Sequence, residues 1–203
     1  MLKIDYKKEM RELYQPSAKK VSVVSVPPMK FLKIDGKGDP NTSSEFANAT
    51  EALFSVSYAL KFMVRQGPLE LDYGVMPLEG LWWTQNMALF SIEDKSAWLW
   101  TLMIMQPDCI TAQMAALAIE KTSKKKENLA INKLRFESYK EGKAAQIMHI
   151  GPFTTEGPTV AKVHAFITAA GSQPTGHHHE IYLSDIRRAA PEKWKTIIRQ
   201  PMS

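Results

Sequence analysis

A single cysteine, Cys109, stands among 203 residues, so no intramolecular disulfide can form and the thiol reads as a small core residue. Histidine is scarce as well: there are five, three of them consecutive at His177, His178 and His179. In an extended segment neighbouring side chains point to opposite faces, so His177 and His179 would share one side and His178 the other. No second cluster of Cys or His completes a tetrahedral set, so no metal is expected. Gly36-Lys37-Gly38 lacks the glycine spacing and the Lys-Ser/Thr of a phosphate-binding loop, and there is no Gly-x-Ser-x-Gly elbow. No cofactor is therefore called for. Long apolar runs are missing too. The longest, such as Trp98 to Met105, are far too short to span a bilayer, and the N-terminus is charged from Lys3 onward with no apolar stretch. These absences point to a cytoplasmic protein without a membrane anchor.

What is present is an ordinary globular composition, 44% hydrophobic and 23% charged, with enough apolar residues for a sizeable core. The net charge of +5 raises the question of nucleic acid. Its distribution answers it. Lys124-Lys125-Lys126 is the one tight basic run, it falls between elements, and no helix-turn-helix, zinc-finger or RNA-binding aromatic signature accompanies it. A solvated loop and no direct nucleic-acid contact are expected.

Along the chain, Tyr6, Met10, Leu13 and Tyr14 have helical spacing, which predicts a short peripheral helix ended by Pro16. Val21 to Val26 and Met29 to Ile34 read as strands, interrupted by Pro27-Pro28 and closed at Gly36 to Pro40. Phe46, Ala49, Leu53, Val56, Leu60 and Met63 mark a long amphipathic helix, capped by Ser43 or Ser44 and ended at Gly67-Pro68. Asp72 to Thr84 is extended, with Tyr73, Val75, Pro77 and Glu79 on one face. A polar turn near Glu93-Asp94-Lys95 leads into a central strand from Ser96 to Met105, which brings Trp82 or Trp83 near Trp98 or Trp100. Thr111 to Thr122 reads as helix. Leu134 to Tyr139 and Lys143 to Ile150 read as a hairpin through Glu141-Gly142, followed by Gly151-Pro152, a helix from about Thr155 to Ala170, and a strand around Glu180. Pro191 suits the first turn of a short helix.

Strand, glycine-proline turn, helix and acidic strand thus occur twice. The duplication predicts an α+β domain of pseudo-two-fold symmetry: an antiparallel sheet, helices on one side, a cleft between the halves. Residues 1–20 form a helical extension, and 21–203 one domain of two repeats, about 21–106 and 130–185.

Glu180 draws attention because Glu180, Tyr182 and Ser184 share one strand face and Ile181 and Leu183 the other. Such a carboxylate is either a rim charge facing water or a group in a partly dry pocket with a shifted pKa. Trp82, Trp83, Trp98 and Trp100 lie on strands flanking the cleft, with Tyr73 and Glu79 on one acidic strand and Glu180 and Tyr182 on the other. Tryptophans of this kind serve either as core or as the walls of a slot for a flat apolar ligand, to which a carboxylate is offered.

Four runs carry a resemblance: Phe31 to Asn41, Pro77-Leu78-Glu79-Gly80-Leu81-Trp82, Met105-Gln106-Pro107-Asp108, and Glu180 to Asp185 with Pro191-Glu192-Lys193. Together they resemble the GyrI-like small-molecule-binding family, in the free-standing branch similar to cyclopropanoid cyclopropyl hydrolases. The resemblance implies a tandem β-α-β-β duplication with the ligand at the junction of the halves. It implies addition of water to the strained ring of spirocyclopropyl DNA-alkylating compounds, with the catalytic glutamate at Glu180, the catalytic tyrosine at Tyr73, and Trp82 and Trp100 as walls beside Glu79 and Tyr182. Burial would raise the pKa of Glu180 for its role as base. The family also contains pure binders, and the alternative is sequestration of cationic aromatic molecules with Glu180 as counter-charge.

Overall fold

The computed structural model describes residues 2–85 and 95–203; the polar turn expected at Glu93-Asp94 lies outside the described residues. The chain opens with strand β1 (Leu2–Ile4) and two short helices, α1 (Tyr6–Glu9) and α2 (Arg11–Tyr14). Strands β2 (Ser22–Val26) and β3 (Met29–Lys37) lead to helix α3 (Ser44–Gln66), then β4 (Leu71–Tyr73), β5 (Leu78–Trp83), β6 (Leu99–Gln106) and helix α4 (Ala112–Ser123). The second half holds β7 (Arg135–Tyr139), β8 (Gly142–Ile150), helix α5 (Gly157–Ala169), β9 (His178–Tyr182) and β10 (Lys195–Pro201).

Eight strands form one antiparallel sheet in the order β2-β8-β10-β9-β5-β6-β3-β7, while β1 and β4 pair separately in a small parallel sheet. Read from either edge inward, this order gives the same progression in each half. An outer strand is followed by the second, fourth and third strands of a five-element ββαββ unit, and the outer strand in each half comes from the opposite unit. The sequence predicts that β7 and β8 pair as a hairpin, but they do not. β7 pairs with β3 and β8 with β2 and β10, so each half lends its first strand to the other. The exchange leaves the number of open edges unchanged, since β2 and β7 still end the sheet; what it adds is backbone pairing between the two halves at both ends. A further strand, β10, follows the three-residue helical turn at Pro191–Lys193 and occupies the middle of its half, well past the expected end of the second repeat at 185.

Helix α3 forms where expected. The Ser43 hydroxyl accepts from the Phe46 amide at 3.3 Å, and Ala49, Ala52, Leu53, Val56, Leu60 and Val64 bury one face against β3 and β6. Helix α5 packs on β8 and β10 in the same way through Val163 and Ile167. The facing surfaces of α3 and α5 stand apart over β5 and β9 and leave a cleft between them. No helix among the described residues is long and apolar enough to cross a membrane. The N-terminal helices are not peripheral: Leu13 and Tyr14 are buried, and the Tyr14 hydroxyl reaches Glu79.

Trp100 lies fully buried across Gly36 of the neighbouring strand, where a β-carbon would stand 2.1 Å from its ring. Gly36→Ala should therefore destabilise the protein by about 1–3 kcal/mol through overpacking. In a double-mutant cycle read by urea denaturation, the loss should shrink when Trp100 is replaced by Phe. An equal loss in both backgrounds would show that the ring does not set the constraint.

Candidate functional site

Strands β5 and β9 run side by side at the centre of the sheet, with Gly80 opposite Glu180, Leu78 opposite Tyr182 and Trp82 opposite His178. Side chains alternate across a strand, so this register sends residues 78, 80, 82, 178, 180 and 182 to the helix side and residues 79, 81, 179 and 181 to the other. The burial pattern of β9 agrees: His179 and Ile181 are buried, and their three neighbours only partly so.

On the helix side lies a cleft of about 2030 Å³, lined by Phe46, Phe54 and Tyr58 of α3, Trp82 of β5, Trp98 just before β6, His164 of α5, and the polar group at its floor. That volume exceeds the roughly 300–1,000 Å³ of a typical small-molecule site, so a ligand would fill part of it. Phe46 stacks on Trp82 with centroids 5.9 Å apart, and Trp82 meets Trp98 edge-on at 5.5 Å. Trp83 stacks on His177 at 4.2 Å.

At the floor, both oxygens of Glu180 are held. Tyr182 donates its hydroxyl proton to Oε2 at 2.7 Å, and His178 Nε2 lies 3.0 Å from Oε1. Trp82 in turn donates its indole N–H to the Tyr182 oxygen at 3.0 Å. Gly80 makes this convergence possible, because a β-carbon there would sit 2.7 Å from Trp82 Nε1 and 3.2 Å from the Tyr182 oxygen. Burial pushes the Glu180 carboxyl up, but the hydrogen bonds from His178 and Tyr182 and the charge of His178 outweigh it and hold the pKa below the ordinary range. The sequence-based expectation of a raised pKa is thereby reversed. The site holds a carboxylate, 16% exposed in its side chain.

A second acid, Glu156, joins it. This residue sits at the start of α5, lines the cleft, and is 7% exposed. It accepts no helix-capping bond on its side chain, and its Oε1 has no hydrogen-bond partner. Burial first, and then the charge of Glu180, push its pKa up to about 8. The α5 N-terminus favours the anion by about 0.3–1 kcal/mol. One pKa unit is worth about 1.4 kcal/mol, so the dipole cannot restore the ordinary value. Two carboxyl groups with divergent pKa values in one cleft are a familiar sign of divided acid and base roles.

Of the residues picked out from the sequence, Glu180, Tyr182 and Trp82 come together. Three do not join them. Trp100 shares their face but is fully buried behind Phe46, whose ring it meets edge-on at 5.4 Å. Tyr73 belongs to the small β1–β4 sheet, packs against Tyr6 at 6.1 Å, and does not line the cleft. Burial raises its phenol well above the ordinary range. Cys109, near the same tyrosines, is half-buried with its thiol pushed up by burial, which disfavours the reactive thiolate. Glu79 points to the opposite side of the sheet.

There Glu79 belongs to a fully buried polar layer. Tyr14 donates to its Oε1 at 2.8 Å, and His179 bridges its Oε2 at 3.0 Å and Glu141 Oε1 at 2.8 Å. Arg199 donates to Glu141 Oε2, to Gln146 Oε1 and to the Leu13 carbonyl. All four carboxylate oxygens are thus occupied, the condition under which burying such charges is tolerable. The three consecutive histidines therefore have three destinations: an indole face, the cleft carboxylate and the buried layer. Among the described residues no group of His, Cys, Asp and Glu could hold a metal ion.

The sequence reading missed Glu156, His178, Phe54 and Tyr58. The Glu156-Gly157-Pro158 run was the available signal for the first, since Pro in the opening turn marks a helix start and an acid there without a capping bond is free for another task.

The buried layer sets a pH dependence of stability. His179 is raised from 6.5 to about 9 by Glu141 and Glu79 against its own burial, so its contribution is complete below pH 6.5 and is lost as pH rises through 9. Glu141 is lowered from 4.5 to about 2 by His179 and Arg199 against its burial, so its contribution is complete above pH 4.5 and is lost as pH falls through 2. Glu156, raised from 4.5 to about 8, subtracts stability as pH rises across that interval. The melting temperature should be highest near pH 4.5 and fall on the alkaline side, first through Glu156 and, above pH 6.5, through His179 as well. In Glu156→Gln the fall should start later and retain the part due to His179, on the order of 3 kcal/mol. A profile flat from pH 6 to 9 would contradict the protonated His179.

The comparisons agree with this architecture. Residues 19–202 match the model of the GyrI-like small molecule binding domain. A crystal structure of an uncharacterized conserved protein from Listeria innocua is 41% identical with a TM-score of 0.91, covering 98% of this chain and all of that one. A hydrolase from the same organism is 40% identical with a TM-score of 0.88, covering 99% of this chain and 100% of the other. The C-terminal domain of EcmrR shares the fold at 12% identity, a TM-score of 0.55, and coverage of 91% of this chain and 97% of that one. No curated protein matches the chain. With a family model spanning all but the N-terminal extension and the last residue, and near-full-length relatives at 40% identity, the chain belongs to the GyrI-like small-molecule-binding domain family.

Proposed function

We propose that the protein is a hydrolase that adds water to the strained cyclopropane of spirocyclopropyl cyclohexadienones, flat apolar alkylating compounds, and so removes their reactivity toward DNA. The observation that carries this is the hydrogen-bonded Glu180 carboxylate at the floor of an aromatic-walled cleft. Hydrolase relatives at 39–40% identity support an enzymatic reading. The ligand is a flat aromatic molecule, met in the cytoplasm without direct contact to nucleic acid.

In this scheme the dienone stacks against Trp82 and Phe46. A water beside Glu180 attacks the cyclopropane methylene and passes a proton to the carboxylate. The carbon–carbon bond breaks and its electrons move through the ring to the carbonyl oxygen, which takes up a proton to become a phenol, while Glu180 returns its own to solvent. Tyr182, rather than Tyr73, is the tyrosine beside the glutamate, and with His178 it fixes the carboxylate for the approaching water. A carboxylate with a low pKa is a weak base, but ring strain lowers the barrier, so an acceleration at the modest end of about 10²–10⁴ suffices.

The same carboxylate, ionised and set among indole and phenyl rings, also suits a cationic aromatic guest, and non-catalytic binding of such molecules is the second reading. Mass spectrometry after incubation with a duocarmycin-type spirocyclopropyl compound separates the two. The hydrolase should yield the substrate plus one water, and Glu180→Gln should bind the compound while losing at least about a hundredfold in rate. Binding of a rhodamine cation that Glu180→Gln abolishes, with no hydration by the wild type, would establish the binder instead.

A further inference from the structure

We propose that Glu156 is a second working group of the cleft it shares with Glu180, the proton donor to the ligand's carbonyl oxygen. This rests on the reading of the cleft as a site for a flat conjugated ketone, and it defines which atom of that ketone the protein recognises. The arrangement has three parts. First, Glu156 is more than nine-tenths buried, lines the cleft, and keeps an oxygen with no partner among the described residues. A buried polar atom without a partner is costly, and in a binding cleft a ligand is the natural partner to supply. Second, the turn that carries Glu156 is pinned over the site: Phe153 meets Tyr182 edge-on at 5.6 Å and Trp194 at 5.1 Å. Third, the two acids differ in their surroundings. Glu180 receives hydrogen bonds on both oxygens, whereas Glu156 faces the Glu180 charge in a buried setting, with Lys95 and the Thr196 hydroxyl as its weaker opposing neighbours. Tyr182, His178 and His164 also line this part of the cleft, and the Tyr182 phenol feels the Glu156 charge. The electrostatics keep Glu156 protonated at neutral pH and Glu180 ionised.

A neutral carboxylic acid is a hydrogen-bond donor. It binds a ketone oxygen, which an ionised carboxylate repels. During turnover the Glu156 O–H bond breaks as the carbonyl oxygen becomes the phenol hydroxyl, while the proton of the attacking water goes to Glu180. The adduct is the substrate plus one water, and after product release the two carboxyl groups restore their starting states by proton exchange with solvent.

The test uses a ligand that cannot turn over. A gem-dimethyl naphthalenone keeps the conjugated carbonyl but has no cyclopropane, and the matching dihydronaphthalene has no carbonyl. Binding of each is followed by tryptophan quenching in the wild type, Glu156→Gln and Glu156→Leu, with circular dichroism and melting to verify folding. Wild-type affinity for the ketone should fall as pH rises through about 8. Glu156→Gln, whose amide still donates, should bind within about twofold at neutral pH and lose that pH dependence. Glu156→Leu should bind the ketone about tenfold more weakly and leave the hydrocarbon unchanged. No ketone binding, equal losses for both probes, or wild-type affinity indifferent to pH would overturn the proposal. Neither probe can be hydrated, so these outcomes are separate from the hydrolase test. A protein that recognises the ketone through Glu156 yet never hydrates a spirocyclopropyl compound keeps this inference and loses the activity, and the reverse pattern does the opposite.

Discussion

The antiparallel pairing of β5 with β9 is the constraint on which the rest depends. It joins the two halves of the sheet, and its register sets Gly80 opposite Glu180. Because strand side chains alternate with a period of two, that one register separates two acids close together in space. Glu180 goes to the cleft with Tyr182 and Trp82, and Glu79 goes to the far side with His179. A slip of β9 by one residue would turn its side chains over, placing His179 among the aromatic rings and Glu180 against the N-terminal segment, and would leave Glu79 without its imidazole partner.

The two faces answer the problem of buried charge in different ways. On the far face every carboxylate oxygen has a donor, two carboxyl groups meet an imidazole and a guanidinium, and the N-terminal segment closes the layer with the Tyr14 hydroxyl and with the Leu13 and Glu12 carbonyls, which accept from Arg199 and Gln146. That is a structural arrangement, complete in itself. On the cleft face satisfaction is partial: Glu180 is held on both oxygens, Glu156 retains an unpaired one, and the walls are aromatic. Incomplete satisfaction beside an apolar slot is what distinguishes a site from a strut.

Much of this was legible in the sequence. The three- and four-residue spacing from Phe46 to Met63 marks α3, and the alternation from Glu180 to Tyr182 marks the acid-bearing strand. The convergence of Glu180, Tyr182 and Trp82 follows from alternation once β5 and β9 are neighbours. Other features depend on tertiary arrangements that periodicity does not encode. Tyr73 and Glu79 lie on one face only if the chain runs unbroken from Asp72 to Thr84, and the break between Tyr73 and Leu78 puts them in different sheets. The exchange of β2 and β7 between halves is invisible locally, because a hairpin and a crossover begin with the same turn residues. Burial of Glu180 is foreseeable from its strand, but the two donors that overcome it are not, so its carboxyl lies below the ordinary range rather than above it. Glu156 was hidden for a similar reason: a helix-start acid resembles a cap until its side chain is seen to turn away.

The location of the ligand tests the central claim most directly. In a crystal structure of the protein with a brominated gem-dimethyl naphthalenone, the anomalous bromine signal should lie on the helix side of the β5–β9 seam, with the ring against Trp82 and its oxygen toward Glu156. A ligand seated on the opposite face of the sheet, or outside the cleft between α3 and α5, would contradict the account.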